Sequence, residues 1–173
     1  MGYTHYWYRP PTLAPGRFTP WVEDVKNLRN QLPATTTSGG GHYASHRLSV
    51  HGPDGCGDAV IGEDLVAFNG RNGGRSSLDD LSHETFYVPQ KLEPESYQSL
   101  DEHGRVFSFC KTNRKPYDLL VTAALVALKN HFPWVKVLSD GQASDWVEGI
   151  ALTQRVLGYG ALPFNDPRSR TRG

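Results

Sequence analysis

Lys111, Arg114 and Lys115, with Thr112 and Asn113 between them, crowd cations and neutral donors directly ahead of Pro116 and a long apolar run. A helix start carries partial positive charge and unpaired N–H groups, so each exposed cation there is unfavourable by roughly 0.3–1 kcal/mol unless something compensates. Asp118, in the first turn, is one compensation, through a pair with Arg114 or Lys115. A bound anion is the other, because N–H groups, a helix dipole and flanking Lys or Arg together make a phosphate or carboxylate site. Tyr117 at the helix start either packs or donates to that anion. Basic residues ahead of a helix are also often plain solvated loop side chains; the neutral donors Thr112 and Asn113 weigh toward a ligand.

Several other segments end in polar clusters. Asn69 closes "FNG", His83, Glu84 and Thr85 open "HETF", and Tyr3 and His5 lie in "GYTHYWYR", where the neighbouring rings would stack on a base or sugar. If these ends meet "CKTNRK" at one rim of a sheet, imidazole, carboxylate, amide, hydroxyl and cationic groups converge there. The expected function is binding of a small phosphorylated ligand such as a nucleotide through Lys111, Thr112, Arg114, Asn69, Tyr117 and Tyr3. The alternative is metal-independent phosphodiester cleavage, with His83, Glu84 and His5 as acid–base groups and Lys111 and Arg114 neutralising the transferring group. A third reading is a structural or protein-interaction module. Each histidine reads equally as a hydrogen-bonded core residue.

"HETF" resembles one copy of the His-x-Thr motif of the two-histidine phosphoesterases, in which His and Thr face the same way from a strand. The second copy is absent, because "HYWY" and "HRLS" both miss the spacing. Cys110 is a candidate nucleophile beside Lys111, yet it ends an apolar strand and reads better as a buried thiol. His42, His46, His51 and Cys56 lack the paired spacing of a closed zinc site, so no metal and no cofactor is expected.

The elements that must position these groups follow from periodicity. "GYTHYWYR" reads as a first strand with Tyr3, His5 and Trp7 on one face and Thr4, Tyr6 and Tyr8 on the other. Thr19 and Pro20 look like a helix start, followed by Val22, Val25, Leu28 and Leu32 at helical spacing and stopped by Pro33. "HRLSVHG", "DAVIGEDLVAFNG", "HETFYVP", "RVFSFCK" and "WVKVLSD" read as strands. Between Pro116 and about Phe132 apolar residues occupy nearly every side, which marks a helix buried on more than one flank. Ser144 or Asp145 can cap a third helix, with Asp145 and Glu148 at capping-box spacing and Gly158 as the stop. The order argues for an α+β domain, a mainly antiparallel sheet carrying about three helices largely on one face.

At 173 residues the chain suits one domain, with glycine-rich loops at 34–41 and 71–78 and a basic, flexible tail at 166–173. Its 18 basic residues balance 18 acidic ones, so no overall field holds it to nucleic acid or an anionic membrane. Arg168, Arg170 and Arg172 in the tail offer weak phosphate contact only. Two cysteines make no disulfide framework, the N-terminus lacks a secretory pattern and the longest apolar run is too short to span a bilayer. The expected compartment is the cytoplasm.

"GYTHYW", "HETF" and "FCKT-RKPYD", followed by an apolar helix and "LSDG", resemble a group of small, uncharacterised bacteriophage and bacterial proteins. The resemblance implies a phage or bacterial origin and a place in the (host) bacterial cytoplasm, and transfers no activity.

Overall fold

The computed structural model describes residues 2–36, 46–75, 79–95 and 99–164. His42, the 34–41 loop from residue 37 on, the end of the 71–78 loop and the tail with Arg168, Arg170 and Arg172 lie outside the described residues.

β1 (Thr4–Arg9) forms from the alternating aromatic stretch and is the middle strand of a three-stranded antiparallel sheet, between β6 (Val106–Lys111) and β7 (Lys136–Ser139). Alternation gives this sheet two different faces. Trp7, Cys110 and Val137 point into the core, whereas Tyr6, Tyr8, Phe107, Phe109 and Leu138 turn outward, Phe109 with 52% of its surface exposed. A second sheet is built around β4 (Leu65–Gly70), which pairs antiparallel with β2 (Val50–His51), β3 (Val60–Ile61) and β5 (Phe86–Pro89). The fold is α+β as expected, with its strands divided between two antiparallel sheets. "DAVIGEDLVAFNG" is a β3–β4 hairpin, and of "HETFYVP" only the last four residues are strand.

α1 (Pro15–Asn30), α2 (Asp118–His131) and α3 (Val147–Leu157) pack on one another over the inner face. Every residue of α2 from Asp118 to Lys129 is buried, as its unbroken apolar pattern requires. Trp21 of α1 ties the helices together by donating its indole N–H to the Ala124 carbonyl at 3.0 Å. α1 starts a turn earlier than Thr19 suggests. Pro15 takes the first helical turn, and Pro20 is accommodated inside the helix because the carbonyl it leaves unpaired belongs to exposed Gly16. α3 is also entered early: residues 143–146 form a 3-10 turn, with the Gln142 N–H donating to Asp145 Oδ2 at 2.8 Å. Gly158 ends α3 at φ 77°, the left-handed conformation expected of that glycine.

The two sheets are joined by a buried cation. Arg9 is wholly buried, and its guanidinium donates to the carbonyls of Pro10, Pro11, Pro89 and Gln90, binding the end of β1 to the end of β5. Burial lowers its pKa to about 10, so it stays charged at neutral pH. Replacing it leaves buried carbonyls without donors. Arg9→Met is expected to lower stability by on the order of 3 kcal/mol in urea unfolding, with the fold otherwise retained.

Candidate functional site

The β1 register sets the rim. His5 stands opposite Cys110 of β6 on one side and Ser139 of β7 on the other, all facing the helices, while Lys111, opposite Thr4, faces outward. Asp118 is the first residue of α2 and enters the same inner corner. His5 Nε2 lies 2.7 Å from Asp118 Oδ1, and the Thr112 hydroxyl donates to that same oxygen at 2.6 Å. His5 Nδ1 lies 2.9 Å from Ser139 Oγ, which also accepts the Gly141 N–H at 2.9 Å. The His5 ring is wholly buried between Tyr3 and Trp146, both edge-on, at centroid distances of 5.0 and 4.9 Å. The Tyr3 hydroxyl and the Trp146 indole N–H are buried and make no hydrogen bond of ordinary geometry among the described residues, with Ser139 the group that interacts with Tyr3.

The basic loop is folded tightly over this network. Thr112 and Asn113 both donate their N–H groups to the Tyr3 carbonyl at 3.1 Å. Asn113 (φ 51°) and Arg114 (φ 59°) are consecutive left-handed residues, a conformation costing roughly 1–2 kcal/mol each. The turn brings the Arg114 guanidinium 4.0 Å above the Tyr3 ring, and its Nη1 donates to Asp145 Oδ1 at 2.6 Å. Hydrogen bonding to Asp145 raises the Arg114 pKa. The Lys115 ammonium donates to the Asp80 carbonyl. The first N–H groups of α2 are satisfied within its own opening turn, by the carbonyls of Lys115, Pro116 and Tyr117.

The helix start thus differs from the expected anion cradle. Its acceptor is the protein's own Asp118, partnered by His5 and Thr112 rather than by Arg114 or Lys115, and Arg114 is held by Asp145. The strand ends do meet. Buried Asn69 accepts the His83 N–H at 3.0 Å and donates to the His83 carbonyl and the Thr85 hydroxyl, which makes it a brace rather than a ligand group. The Tyr117 hydroxyl donates to the Glu84 carbonyl at 2.6 Å, and burial pushes its pKa far up. Glu84 takes the Lys111 N–H on Oε2 at 2.6 Å and gives its own N–H to the Lys111 carbonyl at 3.1 Å. Cys110 is buried, donates to the Glu84 carbonyl, and burial holds its thiol well above the ordinary pKa, so it is inert at neutral pH. Thr85 lies outside β5 and accepts the Asp54 N–H at 3.1 Å, so the His-x-Thr resemblance lacks its strand.

Two groups at the rim stay uncommitted. Neither the Lys111 ammonium nor the exposed His83 ring has a hydrogen-bond or ion-pair partner among the described residues. Partial desolvation lowers the His83 pKa, with Lys111 and Lys115 adding to the effect against the opposing pull of Glu84 and Asp80. A Cβ on Gly2 would come within 2.5 Å of Lys111 Cε, so glycine there leaves this side chain its place.

Ser139, Asp118 and Asp145 complete the arrangement. Asp118 and Asp145 first read as a local charge partner and a helix cap, Ser139 as part of a strand; the run Ser-Asp-Gly at a strand end is the one local signal for Ser139. No group of three His, Cys, Asp or Glu side chains is gathered for a metal among the described residues. A groove of about 520 Å³ between α1 and α3, lined by Asn27, Asn30, Gln31, Arg155 and Val156, is remote from these groups and carries one charged side chain, Arg155. No described helix is long and apolar enough to cross a membrane.

Comparison with protein-family models, with curated proteins and with solved structures gave no match to this chain. The rim geometry therefore stands on its own chemistry, and two charge relations in it are measurable. Lys111→Ala removes a like charge from His83, so its imidazole pKa should rise in an NMR titration. Asp145 is held below the ordinary carboxylate value by Arg114 and by the Gln142 N–H, against desolvation that opposes them. Its contribution to stability is full above about pH 4 and lost as pH falls through the lowered folded value. Asp145→Asn should flatten that acid limb in pH-dependent unfolding.

Proposed function

We propose that the chain binds a small phosphorylated ligand, a nucleotide, on the outer face of the rim, with the phosphate on Lys111 and the base on Phe109. The observation that carries this reading is the Lys111 ammonium, which has no partner among the described residues although Arg114 and Lys115 in the same segment are both engaged. β-strand alternation places Phe107, Phe109 and Lys111 on one face, so the most exposed ring of the sheet lies next to that cation. Stacking of a base on an aromatic ring contributes roughly 1–3 kcal/mol and tolerates any base. His83, exposed, without a hydrogen-bond partner for its ring among the described residues and near enough to Lys111 to feel its charge, supplies a donor or acceptor to a phosphate oxygen.

Relative to the sequence reading, the ligand moves from the helix start to the strand face. Thr112, Arg114, Tyr117 and Asn69 become the support of the site, because their polar groups are already bonded within the protein.

Calorimetric titration with adenosine monophosphate, adenosine and inorganic phosphate tests the assignment. Lys111→Ala is expected to weaken adenosine monophosphate and inorganic phosphate by about tenfold or more, equivalent to at least ~1.4 kcal/mol. Phe109→Ala should weaken the nucleotide by a similar factor and leave inorganic phosphate unchanged. Equal nucleotide affinity for the wild type and Lys111→Ala removes the proposal.

A further inference from the structure

We propose that Ser139 is a nucleophile activated by His5, and that the chain hydrolyses small carboxylic esters through it. The inner-face network carries this inference independently of any ligand at Lys111. Ser139 Oγ lies 2.9 Å from His5 Nδ1, and His5 Nε2 lies 2.7 Å from Asp118 Oδ1. An ionised carboxylate only accepts, so a neutral His5 paired with one carries its hydrogen on Nε2 and turns the Nδ1 lone pair to the serine hydroxyl. Nucleophile, base and orienting carboxylate stand in the order that activates a serine, with the two ring nitrogens exchanged relative to the commonest serine triad. The Thr112 hydroxyl, 2.6 Å from the same Asp118 oxygen, fixes the carboxylate, and Tyr3 and Trp146 fix the plane of the ring. His5 is shielded from solvent while Ser139, at the end of β7, is only half-buried, so the base is dry and the residue that carries the nucleophile reaches the surface.

A second, independent observation points to an acceptor that is supplied from outside. The Tyr3 hydroxyl belongs to a residue with 4% of its surface exposed and makes no hydrogen bond of ordinary geometry among the described residues, with the Ser139 hydroxyl near enough to interact with it; burial, with Asp118 and Asp145 adding to it, raises its pKa and keeps it a donor. A Cβ on Gly141 would lie 2.4 Å from this hydroxyl, so the glycine after Asp140 makes room for it. Buried donors without acceptors are rare in folded proteins and require an explanation. An oxyanion developing on a carbonyl under attack by Ser139 is such an acceptor, and Tyr3 is the donor placed to meet it.

The chemistry closes with these groups and water. Ser139 Oγ bonds to the carbonyl carbon, its proton passes to His5 Nδ1, and the carbonyl electron pair moves onto the oxygen facing Tyr3. When the carbonyl re-forms, the bond to the leaving alkoxide breaks and Nδ1 returns the proton to that oxygen. A water then repeats the sequence on the acyl-serine, releasing the carboxylic acid and free Ser139. Ser139, His5 and Tyr3 act on the substrate; Asp118 and Thr112 are positioning residues.

Covalent labelling by an alkyl fluorophosphonate, read by intact mass and peptide mapping, tests this directly. The Ser139 oxygen displaces fluoride, so a single adduct is expected on Ser139, absent from Ser139→Ala, and formed about a hundredfold more slowly in His5→Gln. Because His5 is buried, that variant is read beside Tyr3→Phe, which removes a hydroxyl that makes no hydrogen bond of ordinary geometry among the described residues and so should stay close to the wild-type melting temperature. Tyr3→Phe is expected to label at least about tenfold more slowly. No Ser139 adduct in the wild type overturns the proposal. So does a Tyr3→Phe protein that labels at the wild-type rate, since a network serving structure alone has no use for that hydroxyl.

Discussion

One carboxylate organises the end of this fold. Asp118 is buried at the first residue of α2, where an uncompensated charge would be costly, and two donors from two different strand ends satisfy one of its oxygens. The helix dipole favours a negative charge at that position as well. His5 reaches Asp118 from the middle strand, and Thr112 from the chain that leaves β6. Ser139 of β7 then closes on the far nitrogen of His5, so that all three strands of the sheet and the central helix meet within one chain of hydrogen bonds. Removing the acceptor would leave Nε2 of the His5 imidazole and the Thr112 hydroxyl buried without the partner they share, and the rim would lose what fixes its geometry.

The distribution of cations follows from this. With Asp118 committed to neutral or weakly basic donors, Arg114 needs another anion and finds Asp145 ahead of α3, stacking on Tyr3 on the way. Lys115 turns to a backbone carbonyl at Asp80. Lys111 faces outward because it sits one residue after Cys110 on a strand, and alternation sends neighbours to opposite faces. A two-sided rim results. On its inner side are a dry imidazole, a half-buried hydroxyl and two buried donors without an ordinary hydrogen bond among the described residues; on its outer side are an ammonium without a partner among them and a row of rings, with the exposed His83 near enough to feel that charge. The proposed binding and the proposed hydrolysis occupy these opposite sides, and for that reason neither depends on the other.

Much of this architecture was legible in the residues themselves. The alternation in "GYTHYWYR" placed His5 beside Trp7 on one face and Tyr6 beside Tyr8 on the other, as found, and the all-round apolar pattern after Pro116 identified the buried helix. The polar ends of their segments raised a meeting of Asn69, His83, Glu84 and Lys111 at one rim only as a condition, and the hydrogen bonds of Asn69 to His83 and of Glu84 to Lys111 meet it. The partners within that rim were not legible. His5 and Asp118 are 113 positions apart and His5 and Ser139 134, and no local pattern encodes which acceptor a buried imidazole will find. The left-handed pair at Asn113 and Arg114 carries no glycine to announce it, so the basic segment read as an open cradle when it is a tight turn closed on Asp145. Likewise Pro20 looked like a start because a proline inside a helix is rare, and only the exposure of Gly16 explains why it is tolerated.

The account rests on which nitrogen of His5 carries its hydrogen. Long-range proton–nitrogen correlation NMR of the imidazole at neutral pH reports this without altering the protein. Hydrogen on Nε2, strongly downfield and slow to exchange because Asp118 accepts it, with an unprotonated Nδ1 toward Ser139, is the predicted result. Hydrogen on Nδ1 alone, with Nε2 bare, would mean that Asp118 does not hold His5 as described and that no lone pair faces the serine.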